Sequence, residues 1–146
     1  MKSLVTGGIA IKEISIRVVP SRVFAALTKP AKLNAWFTTG AKVDLRVGGR
    51  YKNRDRDTGE FLEVVPNKRL RFTWDNRDHA PGTIVEIVLT RKQEGTTVSL
   101  LHYGFSKRKD FEHYSSNVSG WSWALSNLKA YLEGRPVFQY EDWRKK

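Results

Sequence analysis

From residue 42 to residue 103 apolar side chains return at every second position, and from residue 111 to residue 132 they return at every third or fourth. The first period belongs to half-buried β-strands and the second to an amphipathic α-helix. The period changes once, just after Gly104, so the chain reads as a sheet followed by a long helix that covers one of its faces. Turn residues interrupt the strand pattern at Gly48-Gly49, Asp57-Thr58-Gly59, Pro66-Asn67, Pro81-Gly82 and Glu94-Gly95, which divides it into six antiparallel strands joined by hairpins. Alternation assigns the inward sets Val43, Leu45 and Val47; Leu70, Phe72 and Trp74; Val85, Ile87 and Leu89; and Val98, Leu100 and His102. Lys42, Arg46, Arg69, Arg71, Glu86 and Ser99 fall on the opposite, wet face.

Ahead of this run, residues 9–18 alternate as one more strand, with Ile14, Ile16 and Val18 on one side after an irregularity near Lys12 and Glu13. Pro20 and Pro30 each open a short helix, and Gly40 ends the second. The long helix carries Phe111, Tyr114, Val118, Trp121, Leu125, Leu128 and Leu132 on one stripe and stops at Gly134, with Pro136 beyond. The predicted fold class is therefore α+β: strand, two short helices, six strands, and a long C-terminal helix wrapped by a curved antiparallel sheet. One domain spans residues 1–135, and residues 136–146 form a loosely attached tail. Leu, Ile, Val and Phe supply 38 of the 146 residues, enough for a core.

There is no cysteine, which excludes disulfides, thiol nucleophiles and thiolate-ligated metals and fits a reducing cytoplasm. No apolar run approaches the length of a membrane span, and the N-terminus has no signal-peptide core.

Particular residues, in this order and spacing, resemble the START-like helix-grip (SRPBCC) superfamily, and within it the branch of the activator of heat-shock-protein-90 ATPase homologues. They are Val-Phe-Ala-Ala-Leu-Thr at 23–28, Leu-Asn-Ala-Trp-Phe at 33–37, Asp-Leu-Arg-Val-Gly-Gly-Arg-Tyr at 44–51 and Leu-Glu-Val-Val-Pro-Asn-Lys-Arg-Leu at 62–70. Further along come Phe-Thr-Trp at 72–74, Thr-Thr-Val-Ser-Leu at 96–100, Tyr-Gly-Phe at 103–105 and Gly-Trp-Ser-Trp-Ala-Leu-Ser-Asn-Leu at 120–128. The resemblance implies a deep cavity between sheet and last helix, which the superfamily uses to hold lipids, sterols, polyketides or other hydrophobic molecules. A few relatives are cyclases or other enzymes. The family's co-chaperone adds an N-terminal domain for which 146 residues leave no room, so chaperone activation is not implied.

Six aromatic residues, Trp36, Phe37, Tyr51, Phe72, Trp74 and Trp121, should approach the space between sheet and helix, either as plain core or as the wall of a pocket for a flat, hydrophobic ligand. Val85, Ile87, Leu100 and Leu125 complete the expected apolar wall. The inward polar candidates are Tyr51 and Asn53 on a strand over residues 49–56, together with His102, which needs hydrogen-bond partners wherever it is buried.

Other chemistries find little support. His79, His102 and His113 form no ligand spacing, so neither a metal nor a cofactor is expected. No nucleophile elbow is present, and a set of Ser106, His102 and Asp110 would rest on proximity in sequence alone. Glu60, Glu63 and Asp55 are the candidate carboxylate bases for a cyclase-like or hydrolase-like alternative. Gly48-Gly49 is a hairpin turn rather than a phosphate loop, and residues 104–114, with Lys107-Arg108-Lys109, form either a gate or a plain basic loop.

The formal charge is +11. Alternation places Arg50, Lys52, Arg54 and Arg56 outward beside Arg69 and Arg71, a basic stripe that is either merely solvated or meets an acidic protein partner such as a chaperone. That face shows no interleaved stacking aromatics, which argues against nucleic acid.

Overall fold

Isoleucine-rich alternation, which changes phase at Lys12-Glu13, builds β1, Ile9–Ile16, and Pro20 then starts α1, Pro20–Thr28. Lys29 lies extended (φ −87°, ψ 126°) because Pro30 excludes helical backbone from the residue before it, so this one residue ends α1 and starts α2, Pro30–Trp36. Six strands follow: β2 Lys42–Val43, β3 Arg50–Lys52, β4 Thr58–Val65, β5 Arg69–Trp74, β6 Thr83–Lys92 and β7 Gly95–Tyr103. Two helices close the chain, α3 Phe111–Leu132 and α4 Tyr140–Trp143. The computed structural model describes residues 9–75, 82–104 and 111–145, with side chains described for residues 12–75, 82–104 and 120–145. His79 and the basic segment around residues 107–109, with Ser106 and Asp110, lie outside the described residues, as does the side chain of His113.

The seven strands form one antiparallel sheet in the order β1-β7-β6-β5-β4-β3-β2. Consecutive hairpins build β2 to β7, while β1 joins the far edge beside β7, so α1 and α2 carry the chain from one edge of the sheet to the other. β1 pairs regularly from Ile9 with Tyr103 to Ile16 with Thr96, without the irregularity expected near Lys12. β5, β6 and β7 alternate buried and less buried positions as the sequence predicts. The core gathers Val85, Ile87, Leu89, Val98 and Leu100 of the sheet with Val23 and Phe24 of α1 and Trp121, Leu125, Leu128 and Leu132 of α3. This is the helix-grip arrangement.

β4 carries an irregularity, and three local expectations are corrected after it. The register shifts in β4 between Phe61 and Glu63. Strict alternation would place Glu63 on the same face as Phe61; the bulge turns it outward, opposite Arg71, and lets Val64 follow Phe61 inward. Gly59 is a strand residue rather than part of a turn: a Cβ there would lie 2.7 Å from the Tyr51 hydroxyl and 2.0 Å from the Thr73 carbonyl oxygen. The strand expected over 49–56 ends at Lys52, and residues 53–57 make a tight turn with Arg56 at φ 70°. Finally, Leu45 and Val47 do not face inward; they are exposed, because β2 is only two residues long and the chain from Asp44 to Gly48 leaves the sheet.

The C-terminal segment is anchored rather than loose. Asn127 Oδ1 accepts from the Phe138 N–H at 2.8 Å, and Trp123 Nε1 donates to the Phe138 carbonyl at 2.7 Å. Tyr140 of α4 meets the Trp123 ring edge-on.

The free edge of β1 is partly closed by α3. The Glu133 carboxylate accepts the Arg17 N–H at 2.9 Å, and Lys129 Nζ donates to the Ser15 carbonyl. The Arg17 hydrogen bond, with help from Arg135 and Lys129, holds the Glu133 carboxyl below its ordinary range. A depressed carboxyl pKa stabilises the fold above the unfolded value and loses that contribution as pH falls through the folded one. Glu133→Gln should therefore cost about 0.5–1 kcal/mol near neutrality, after solvent screening, and nothing in acid. Urea unfolding at both pH values tests this, and an equal cost at each would contradict the assigned role.

Candidate functional site

The two halves of the sheet's inner face are filled differently. α3 packs along β1 and α1 rests against β6 and β7, while α2 and Leu27 of α1 border the side that ends in β3 and β2. On that second side an apolar cavity of about 80 Å³ remains. Of the expected site residues, eight line it: Trp36, Phe37, Tyr51, Asn53, Phe72, Trp74, Ile87 and Trp121. Val85, Leu100, His102 and Leu125 are buried but lie away from it, in the half that α3 fills.

Alternation also pointed inward for Val43 and Leu70, which contribute to the wall, as do Leu27 and Leu33 of the two short helices. Phe61 was missed, although an aromatic opposite Phe72 on a neighbouring strand was a usable signal.

The polar side chains of Tyr51, Trp36 and Asn53 in this wall are already satisfied. Tyr51 donates its hydroxyl to the Thr73 carbonyl at 2.6 Å, across the gap that Gly59 leaves open. Burial, with Asp57 and Asp75 nearby, raises the Tyr51 pKa well above the ordinary phenol value, so it stays a neutral donor. Trp36 Nε1 donates to the Ala26 carbonyl at 2.9 Å. Asn53 does not reach into the cavity as a free amide: its Nδ2 donates to Asp57 Oδ2 at 3.0 Å and its Oδ1 accepts the Asp57 N–H at 3.1 Å, closing the turn between β3 and β4. What the cavity offers is aromatic faces and aliphatic surface.

His102 is fully buried and belongs to a chain of hydrogen bonds that ties three strands to α3. Trp121 Nε1 donates to His102 Nδ1 at 2.8 Å, so Nδ1 carries no proton. The ring proton is then on Nε2, 2.7 Å from Thr83 Oγ1, and the Thr83 hydroxyl donates onward to the Trp74 carbonyl. Burial lowers the His102 pKa to about 3, so the ring is neutral under ordinary conditions. Both nitrogens are engaged, which removes His102 as the acid or base of the enzymatic alternative. Glu63 is removed by its ion pair with Arg69 at 3.1 Å on the outer face. Asp55 lies outside the cavity and accepts from the Thr38 hydroxyl at 2.7 Å.

A larger cleft of about 990 Å³ adjoins the cavity, between α2, the turn at residues 53–57, α3 and the C-terminal segment. Trp36, Phe37, Thr38, Trp74 and Trp121 line both spaces. Phe37 is packed among aromatic neighbours at this shared wall: its ring lies parallel to that of Trp121 at 6.3 Å, within 24° of parallel to that of Trp123 at 6.0 Å, and 5.2 Å from the Trp36 ring. The outer wall, with Phe138 and Tyr140, had not been expected of a loose tail.

The expected basic stripe is broken up. Arg69 pairs with Glu63 and, at 2.6 Å, with Glu86, while Arg71 reaches Glu63 at 3.7 Å. Arg54 and Arg56 sit in the turn and line the cleft. Among the described residues there is no cluster of side chains able to hold a metal and no helix long and apolar enough to cross a membrane.

No curated protein matches the chain. Among solved structures, it is similar to protein MLL2253 from Mesorhizobium loti at 24% identity and a TM-score of 0.79, covering 88% of this chain and 99% of that one. It is also similar to CalU16 from Micromonospora echinospora, at 27% identity and a TM-score of 0.77, over 89% of this chain and 69% of that one. A third similar structure is the Aha1 dimer from Colwellia psychrerythraea, at 23% identity and a TM-score of 0.75, over 86% of this chain and 96% of that one. Residues 17–133, from the end of β1 through α3, match the family described as Activator of Hsp90 ATPase homolog 1-like protein, and the chain belongs to that family.

Proposed function

We propose that this chain binds a small hydrophobic molecule, with a flat aromatic or aliphatic body, between α2, α3 and the β3 to β6 half of the sheet. The observation that carries this reading is an apolar cavity, lined by aromatic rings whose Tyr51 and Trp36 polar atoms are satisfied by the protein, that shares wall residues with a wider cleft. Such a wall rewards apolar surface and asks for few hydrogen bonds. The helix-grip fold of the family is a ligand-binding fold, which supports the same reading. At about 80 Å³ the cavity is smaller than the roughly 150 Å³ void that takes up benzene in an engineered core, so a lipid or polyketide-sized ligand enters only as Phe37 swings towards the cleft.

An amide and indole chemical-shift titration with fatty acids, sterols and polycyclic aromatics tests this. The expected result is a set of shifts centred on Phe37, Trp74 and Trp121, with Phe37→Ala binding the larger ligands several-fold more tightly. Shifts absent from those residues across the whole panel would overturn the reading.

A further inference from the structure

Alternation placed Leu45 and Val47 in the core, and the fold leaves both in solvent: Val47 is 63% exposed and Leu45 38%. They sit on the connection between β2 and β3, where all residues from Asp44 to Gly48 are exposed. This tip is held firmly. The Gly48 N–H donates to the Phe61 carbonyl and the Phe61 N–H to the Gly49 carbonyl, both at 2.9 Å, so the tip is pinned to β4. A side chain at Gly49 would lie 2.1 Å from the Asp44 carbonyl oxygen, and Gly48 takes φ 86°, so the double glycine sets this tight shape. A rigid tip carrying two large apolar side chains loses little conformational freedom when it docks.

Positive charge predominates around the tip, with Asp44 on it and Glu60 opposite Arg50 in the β3–β4 ladder. Residues 42–52 hold Lys42, Arg46, Arg50 and Lys52 against Asp44 alone. Arg46 pairs with Asp44 at 2.9 Å, and Lys42 stands directly opposite Lys52 in the β2–β3 ladder. Like charges opposed across a ladder repel, so this pair favours an anionic surface brought against it. Arg69 and Arg71, by contrast, are paired with acidic residues of their own sheet.

We propose that this hairpin tip docks on an anionic lipid surface, with Leu45 and Val47 entering the interface and Lys42, Arg50 and Lys52 meeting the headgroups. A bilayer accepts a projecting apolar tip without a preformed pocket, and clustered cations add to that affinity. Val43, two residues before Leu45, lines the inner cavity, so docking brings the cavity wall beside a phase in which hydrophobic molecules dissolve.

Co-sedimentation of the full chain with phosphatidylcholine vesicles, with and without phosphatidylglycerol, tests this in the absence of any cavity ligand. Failure here therefore leaves the cavity reading standing, and failure there leaves this one. The expected result is binding only to the anionic vesicles, weakened by salt, reduced about tenfold or more by Leu45→Ser with Val47→Ser, and about fivefold for each of Lys42→Gln and Arg50→Gln. All four side chains are exposed, so these variants keep the fold. The proposal is overturned by absence of binding to anionic vesicles, or by binding that the serine pair leaves unchanged. Self-association in sedimentation velocity that the serine pair abolishes, without vesicle binding, would overturn it in favour of a second copy of the chain.

Discussion

Trp121→Ala should remove about 4–8 kcal/mol of stability, close to the whole of a small domain's margin. The ring is buried, 5.2 Å from Trp74 and 6.3 Å from Phe37, so truncation leaves a void between α3 and the sheet, worth about 3–5 kcal/mol. It also takes away the donor that His102 Nδ1 accepts from, at a further cost of about 1–3 kcal/mol. Trp121→Phe separates the two effects: it keeps most of the ring, deletes the N–H, and should cost about 1–3 kcal/mol. Chemical denaturation of the three proteins gives the values. A phenylalanine variant as stable as the parent would mean that the hydrogen-bond chain through His102 contributes nothing.

Stability should fall steeply between pH 6.5 and pH 3 because of one side chain. In the folded protein His102 protonates only near pH 3, whereas in the unfolded chain it protonates near its ordinary value of 6.5. Above pH 6.5 both states are neutral there and the full stability is present. Below it the unfolded state binds a proton that the folded state refuses, so stability falls by about 1.4 kcal/mol per pH unit and by about 4 kcal/mol in all by pH 3. The contribution is read as the difference between the parent and His102→Gln over the same pH range, since the other titrating groups cancel. NMR of the folded protein should show the His102 ring neutral, with its proton on Nε2, from pH 8 to below pH 5. A His102 ring that titrates near 6.5 in the folded state would refute this account.

Much of the architecture was legible because period and punctuation are local. Alternation over residues 83–103 assigned β6 and β7 and their buried faces, and Pro20, Pro30 and Gly134 marked helix ends by backbone sterics alone. Where local rules met a long-range requirement they failed. Glu63 follows Phe61 at strand spacing and yet faces the other way, because the bulge between them turns it outward to pair with Arg69. Gly59 looked like a turn residue, and only the path of Tyr51 to the Thr73 carbonyl explains it.

The candidate site divides the same way. That Trp36, Phe37, Tyr51, Phe72, Trp74 and Trp121 converge on one space follows from their faces on strands and helices. That Val85, Leu100 and His102, on equally inward faces, lie away from the cavity depends on where α3 rests across the sheet, which no residue pattern within a single strand records.

The sequence by itself determined the element order, the buried face of each long strand and the aromatic character of the space between the sheet and the helices, since these depend on neighbours within a few residues. Tertiary structure alone decided that this space is a small cavity sharing wall residues with a wider cleft, that His102 is a structural member of a hydrogen-bond chain, and that Leu45 and Val47 stand in solvent. Each of these depends on which distant segment fills a given volume, a competition among side chains that are tens of residues apart in the chain.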